Sequence, residues 1–300
     1  MSAQSLKHVE MGSEIPHTIH VTFASKPLPE ALAQNVQSMQ ELNPDRVVRV
    51  YDNEDIEKYI SGNFDPGILD TYLKIDPSYG PARADLFRYL LIYNEGGCYL
   101  DIKSAMSRSL SSVLRPEDRF LLSQWRNGPG EKSDSFGIWE DLAGIPGGEY
   151  QQWHIVSVRG HPFLRAVLLR VLDNIASYRP ESVGVGKYGV LRTTGPIAYT
   201  LAIDAIRARH QHRFVCAEED LGLLYSICAD RGRDSEHARF FPIHYSQLAH
   251  PVVTLKLRRR IAWKMYLLSR WAFRHLKSAM GEQRVRSVRL LVRKIFGLSA

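Results

Sequence analysis

Four side chains in one short stretch, Asp85, Arg88, Asp101 and Lys103, bring together two carboxylates, a guanidinium and an ammonium. A carboxylate accepts hydrogen bonds from neighbouring hydroxyls, a guanidinium donates them in a fixed fork, and a cation alongside can meet the charge of anionic oxygens. Local pattern supplies the placement. Residues 82–95 carry Leu86, Phe87, Leu90, Leu91 and Tyr93 at helical spacing, and Gly96-Gly97 supplies the stop that helices favour. Asp85 and Arg88, three apart, share what reads as the polar face of this helix. After the glycines, Cys98, Leu100 and Ile102 alternate with Tyr99, Asp101 and Lys103, the period-2 pattern of a strand with one apolar face. Asp101 and Lys103 are therefore expected to point the same way from the tip of a buried strand. The plain alternatives are an intrahelical ion pair for Asp85 and Arg88 and a turn residue for Asp101.

The rest of the chain alternates helices and strands. Residues 15–23 and 46–52 read as strands, 29–42 as a helix, and 52–60 and 66–75 as short helices leading to the Asp85 helix. Further on, 155–158 reads as a strand, 162–178 and 196–209 as helices, and 218–227 as one or two helical turns. This order predicts an open α/β sheet, in which ligands sit at the carboxyl ends of the strands. Residues 127–150 break the rhythm with many glycines and with Trp139. A loop of that length is expected to be a lid or a surface excursion.

Taken together, Ala84-Asp85, Arg88-Tyr89, Gly96-Gly97, Tyr99 and Asp101 resemble the signature of sugar-nucleotide glycosyltransferases with a DXD motif, the kind found in yeast mannosyltransferases, bacterial capsule enzymes and, more distantly, large clostridial toxins. The stretch 15–23, Gly160-His-Pro-Phe163 and Thr194-Gly-Pro196 resemble further landmarks of that family in the same order. The resemblance implies a GT-A-like open mixed sheet flanked by helices and a hexosyltransferase, retaining in outcome and without a dedicated nucleophile. Its donor would be a nucleotide-diphosphate sugar, UDP-sugar ahead of GDP-mannose, and its acceptor a glycan or a lipid-linked glycan. Asp85 and Arg88 would grip the donor sugar, Asp101 would stand at the diphosphate, Tyr99 would contact the nucleotide or pack in the core, and Phe23 would stack on the base. His244 comes where related enzymes offer a polar ligand to metal or diphosphate. The family's second acid, which binds a divalent ion, Mn or Mg, is replaced by Lys103. An ammonium there opposes a metal by roughly 4 kcal/mol at about 4 Å and an effective dielectric near 20, so metal dependence is in question and Lys103 is a candidate stand-in for the cation. The second possibility is that Lys103 points to solvent and Asp101 alone, with His244, holds the ion.

Size and composition set the bounds. Three hundred residues with 44% hydrophobic side chains suffice for a substantial core. Three cysteines without metal spacing, a polar stretch over 1–14 and no long apolar run point to a cytoplasmic chain. The formal charge of +7 is uneven: residues 255–300 hold thirteen Lys or Arg and one acid. Within that tail Leu257, Ile261, Met265, Leu268, Ala272 and Leu276 recur at helical spacing among basic and aromatic residues. The expected organisation is a GT-A-like domain over 1–254 and a basic amphipathic helical tail over 255–300, peripheral at the inner face of an anionic membrane. A helical pair closing the sheet edge is the alternative for the tail. For the chain as a whole the competing classes are a non-catalytic sugar-nucleotide-binding or scaffold protein with a degenerate motif and, with less support, a nucleic-acid binder.

Overall fold

The computed structural model describes residues 6–227 and 245–276. In chain order the elements are β1 (Thr18–Thr22), α1 (Glu30–Leu42), β2 (Val47–Tyr51), α2 (Asn53–Asn63), α3 (Pro66–Leu73), α4 (Gly80–Glu95), β3 (Gly97–Asp101), β4 (Ala105–Met106), α5 (Leu110–Val113), β5 (Phe120–Leu122) and β6 (His154–Ser157). They are followed by α6 (Pro162–Ser177), α7 (Pro180–Val183), α8 (Gly186–Thr193), α9 (Pro196–Asp204), β7 (Arg213–Phe214), β8 (Leu223–Leu224) and α10 (Leu257–Leu276). Six strands form one mixed sheet in the order β2-β1-β3-β6-β5-β7, and β4 pairs with β8 apart from it. β1 runs parallel to β2 and β3, with Thr22 opposite both Tyr51 and Asp101, and β6 runs antiparallel to β3 and β5. The carboxyl ends of β1, β2, β3 and β5 and the amino end of β6 thus share one rim. This is the open mixed sheet flanked by helices that the sequence predicted.

Alternation along the strands divides the interior into two layers. Tyr99, Phe120, Leu122 and Ile155 face the larger core built from α2, α3, α4, α6 and α9. Ile19, Val21, Cys98, Leu100, Leu121 and Val156 face the second core, which α1 closes with Leu32 and Met39. β3 lies between two neighbours and is buried on both faces, so its polar-looking alternate positions are covered by α4 rather than open to water. α4 departs from the expectation of a polar-faced helix. Phe87, Tyr89, Leu90, Leu91, Ile92 and Tyr93 are buried along with Asp85 and Arg88. A helix apolar round most of its middle belongs inside, and here its two buried charged residues, Asp85 and Arg88, line a cleft. Pro81 sits in its first turn and Gly96, at φ 75°, ends it. A Cβ on Gly96 would lie 2.6 Å from the Arg159 backbone nitrogen, so the sharp passage from α4 into β3 needs glycine there.

Three expectations are corrected. Residues 218–227 form turns and the short strand β8, because Gly222 at φ 66° breaks any helix and its carbonyl pairs with the Ser107 amide beside β4. The helix expected over 196–209 ends at Asp204, and α8 over 186–193 precedes it where no element was expected. Asp52 caps α2, its side chain accepting from the Asp55 amide while the Asp55 carboxylate accepts from the Asp52 amide.

Burial holds three imidazoles neutral: His20 and His161 are pushed down to about 4 and His154 to about 3, from 6.5. Below about pH 6.5 the unfolded chain binds protons that the native one refuses, so this part of the stability is fully present above pH 6.5 and drains away as pH falls toward 4. Each such proton contributes about 1.4 kcal/mol per pH unit. Thermal melts between pH 7.5 and 4.5 should show a falling Tm that steepens below pH 6.5, and a flat profile across that window would contradict the burial of these rings.

Candidate functional site

At the common rim lies a cleft of about 430 Å³ lined by, among others, Phe23, Asn53, Asp85, Arg88, Tyr99, Asp101, Lys103, Trp125, Glu149 and Tyr225. The Arg88 guanidinium lies in its wall. Arg88 Nη2 stands 3.3 Å from Asp85 Oδ1 and 3.1 Å from Asp101 Oδ1, Nη1 donates to the Gln152 carbonyl at 2.8 Å, and the fork lies 4.6 Å over the Tyr99 ring. Burial works against the Arg88 charge, but Asp101, Tyr99 and Asp85 more than offset it and hold its pKa above the ordinary arginine value. Asp85 is pushed up by burial, against the pull of Arg88, Thr194 and Gln152. Its carboxylate accepts from Thr194 Oγ1 at 2.9 Å and from Gln152 Nε2 at 3.1 Å. The Tyr89 hydroxyl lies 2.9 Å from both Gln152 Oε1 and the Thr194 carbonyl, which share its single proton, and this ties that support together.

The pair read as a possible intrahelical contact is therefore part of a three-member bridge across α4 and β3. Asp101 keeps 25% of its side chain exposed to the cleft, whereas Asp85 and Arg88 keep 4% and 5%. Among the three, Asp101 has the greatest access to a ligand.

Lys103 follows two residues after the end of β3, in a turn, and lines the same cleft. Its ammonium donates to the Tyr225 hydroxyl at 3.3 Å and lies 4.5 Å from the Tyr225 ring centroid. Asp101 and Lys103 thus face one cavity, each held by a different neighbour. Tyr99 is only 1% exposed, and its hydroxyl shares a 2.9 Å hydrogen bond with Thr22 Oγ1 and reaches Asp101 Oδ1 at 3.5 Å, so it packs in the core with its polar end toward the cleft. Phe23 lines the cleft just beyond β1. His244 lies outside the described residues.

As a metal site the described residues fit poorly. Among them no group of three His, Cys, Asp or Glu side chains stands where it could share an ion. Asp101 presents one oxygen to a guanidinium, and the family's second acid is the ammonium of Lys103.

Sequence reasoning did not anticipate Gln152 and Glu149. Gln152 touches Asp85, Arg88 and Tyr89 at once, but it is 67 positions from Asp85 and belongs to no motif. Thr194 was noticed as part of a Thr-Gly-Pro landmark without a role, and it is one of the two side chains that hold Asp85. The long loop over 127–150 is closed at its base by a bridge between Gln124 and Tyr150, and it sends Phe136, Trp139 and Glu149 into the cleft wall.

Residues 29–121 match the family described as "Glycosyltransferase sugar-binding region containing DXD motif". Inositol phosphoceramide mannosyltransferase 3 of Schizosaccharomyces pombe is 31% identical over 193 residues, 64% of this chain and 46% of its own. A mannosyl phosphorylinositol ceramide synthase of Saccharomyces cerevisiae is 26% identical over 183 residues, 61% of this chain and 41% of its own. The chain spans less than half the length of these curated relatives. The solved structure of PaToxG Glycosyltransferase aligns over 65% of this chain and 69% of its own, with 15% identity and a TM-score of 0.46, too loose to carry a residue correspondence. Residues 29–121, which contribute Asp85, Arg88, Tyr99, Asp101 and Lys103 to the cleft, are thus similar to the sugar-binding region of DXD-motif glycosyltransferases.

Proposed function

We propose that the protein is a hexosyltransferase that moves a sugar from a nucleotide-diphosphate donor to a lipid-linked or glycan acceptor with retention of anomeric configuration. The observation that carries this reading is the Arg88 bridge between Asp85 and Asp101, set beside Lys103 in one cleft at the carboxyl ends of the strands. Asp101, fixed by Arg88, offers an acceptor for a donor hydroxyl, and Phe23 on the β1 side offers an aromatic face for the base. Lys103 supplies positive charge against the negative charge that the leaving diphosphate develops, in the place where the family has its second acid. The cleft holds acceptor hydroxyl and anomeric carbon together, which by itself removes much of the entropic barrier. Mannose is the favoured hexose because the similar yeast proteins are named for mannosyl transfer. GDP-mannose and UDP-sugars are both candidate donors.

The reading includes a membrane surface. On α10, Leu257, Ile261, Met265, Leu268 and Trp271 recur along one side with more than half their surface exposed, while Trp263 is buried. Arg259 anchors the helix to the domain by donating to the Ser177 carbonyl at 3.2 Å and to that of Tyr178 at 2.5 Å. An exposed apolar line on a helix rich in Arg and Lys has the composition of an interfacial anchor, and no described helix is long and apolar enough to cross a bilayer. The basic residues over 277–300 lie outside the described residues.

Two experiments follow. Purified protein incubated with GDP-mannose and UDP-hexoses and a membrane extract as acceptor source should form labelled product. Asp101→Ala should lower turnover at least a hundredfold with its circular dichroism unchanged, and Lys103→Asp should make activity dependent on added Mn²⁺ and sensitive to EDTA. Nucleotide-sugar binding without turnover would favour a scaffold. Separately, Ile261→Glu with Leu268→Glu spares Trp263 and should release the protein from anionic vesicles in a sedimentation assay; unchanged pelleting would remove α10 as the anchor.

A further inference from the structure

The sheet order arranges the cleft from one side to the other. Along the rim come Asn53 after β2, Phe23 after β1, Asp101 at the end of β3, Trp153 before β6 and Trp125 after β5. The β1 and β2 side carries the base-stacking candidate. On the β5 and β6 side stands an aromatic wall that the donor reading above does not use. Trp125 meets the Phe136 ring edge-on at 4.7 Å and that of Tyr225 at 5.0 Å, and Trp153 stands 5.5 Å from Tyr225.

Glu149 lies within this wall and is only 6% exposed. Its Oε1 accepts from Trp125 Nε1 at 2.8 Å, and its Oε2 accepts from Trp139 Nε1. An indole has a single N–H, so this one carboxylate takes the whole donor capacity of both tryptophans and sets the direction of each ring. Burying a carboxylate is costly, and burial pushes the Glu149 pKa up, against the pull of the two indoles and of Lys187. Apolar packing alone could stabilise a loop without that cost. The loop is shaped around the clamp: Gly137 has φ 76°, and a Cβ there would lie 2.7 Å from Glu149 Cγ and 2.8 Å from Trp125 Cδ1. From outside, the Lys187 ammonium lies 4.9 Å from the Trp139 ring centroid.

A pyranose has a face of C–H groups and a rim of hydroxyls, which match an aromatic wall with a carboxylate set among the rings. We propose that Glu149 is a positioning residue that locks Trp125 and Trp139 into a stacking wall for the acceptor's sugar ring, on the β5 and β6 side of Asp101. This rests on the glycosyl-transfer reading for the word acceptor, but binding of a sugar ring to the wall can be measured without it.

The test titrates the full chain, Glu149→Gln and Trp139→Phe with methyl α-D-mannopyranoside and with methyl α-D-glucopyranoside, following tryptophan emission, and measures GDP and UDP binding to the same samples by thermal shift. Glutamine keeps the volume but turns an amide NH₂ toward one indole N–H, so one ring is released; Trp139→Phe keeps an aromatic ring, loses the N–H and carries the test should Glu149→Gln fail to fold. At least one glycoside should change the unsubstituted protein's emission, both substitutions should weaken that binding at least tenfold, and nucleotide affinity should stay within twofold. Equal glycoside binding by all three proteins overturns the clamp. No glycoside response in the unsubstituted protein, with nucleotide binding intact, overturns the wall while the donor assignment stands. A glycoside response without nucleotide binding supports the wall and removes the donor reading instead.

Discussion

The buried guanidinium of Arg88 is the constraint on which the site's arrangement depends. It is a buried cation set against two carboxylates from different elements, Asp85 on the same helix and Asp101 at the tip of the neighbouring strand. Removing one partner of a buried ion pair typically costs about 3–5 kcal/mol, because the charge left behind has lost its compensation. Without Arg88 two acids would face each other in a poorly hydrated wall. With it, α4 and β3 are tied across the Gly96-Gly97 turn, and Asp101 is presented to the cleft in one orientation. The supports behind it, Gln152, Thr194 and Tyr89, leave Asp85 with its hydrogen bonds satisfied.

That arrangement accounts for the unusual character of α4. A charged pair on a helix ordinarily marks the solvent face, yet here residues 85–93 are all buried and the charged pair among them lines the cleft. The two apolar cores on either side of the sheet hold β3 in place, so the position of Asp101 follows from packing over many residues rather than from a flexible loop. Lys103, one turn beyond the strand, is held differently: its partner among the described residues is Tyr225, near the short β4–β8 pair. In the proposed reading the bridged carboxylate would meet the sugar and the separately held ammonium the diphosphate.

Much of this was legible in the chain itself. The helix over α4, its glycine stop, the alternation in β3 and the acid at its tip are all short-range patterns, set by periods of 3.6 and 2 and by what a positive φ demands. What was illegible is long-range. Nothing near Asp85 announces Thr194, 109 positions away, and nothing near Trp125 announces that Glu149 will join it to Trp139. Residues 218–227 were misread because the partner that makes β8 a strand is β4, far back in the chain, and local spacing carries no trace of it. The burial of Asp85 and Arg88 was likewise invisible, since a sequence shows which residues share a face but not what that face meets.

The central claim is that this bridge organises a pocket for the sugar of a nucleotide donor, and calorimetric titration tests it most directly. GDP-mannose and UDP-glucose would be compared with GDP and UDP on the unsubstituted protein and on Asp101→Ala. The account predicts that one donor binds at least tenfold more tightly than its bare nucleotide diphosphate, and that Asp101→Ala erases this margin while leaving nucleotide affinity nearly unchanged. Equal affinity for donor and bare nucleotide, or a margin that survives the loss of Asp101, would contradict it.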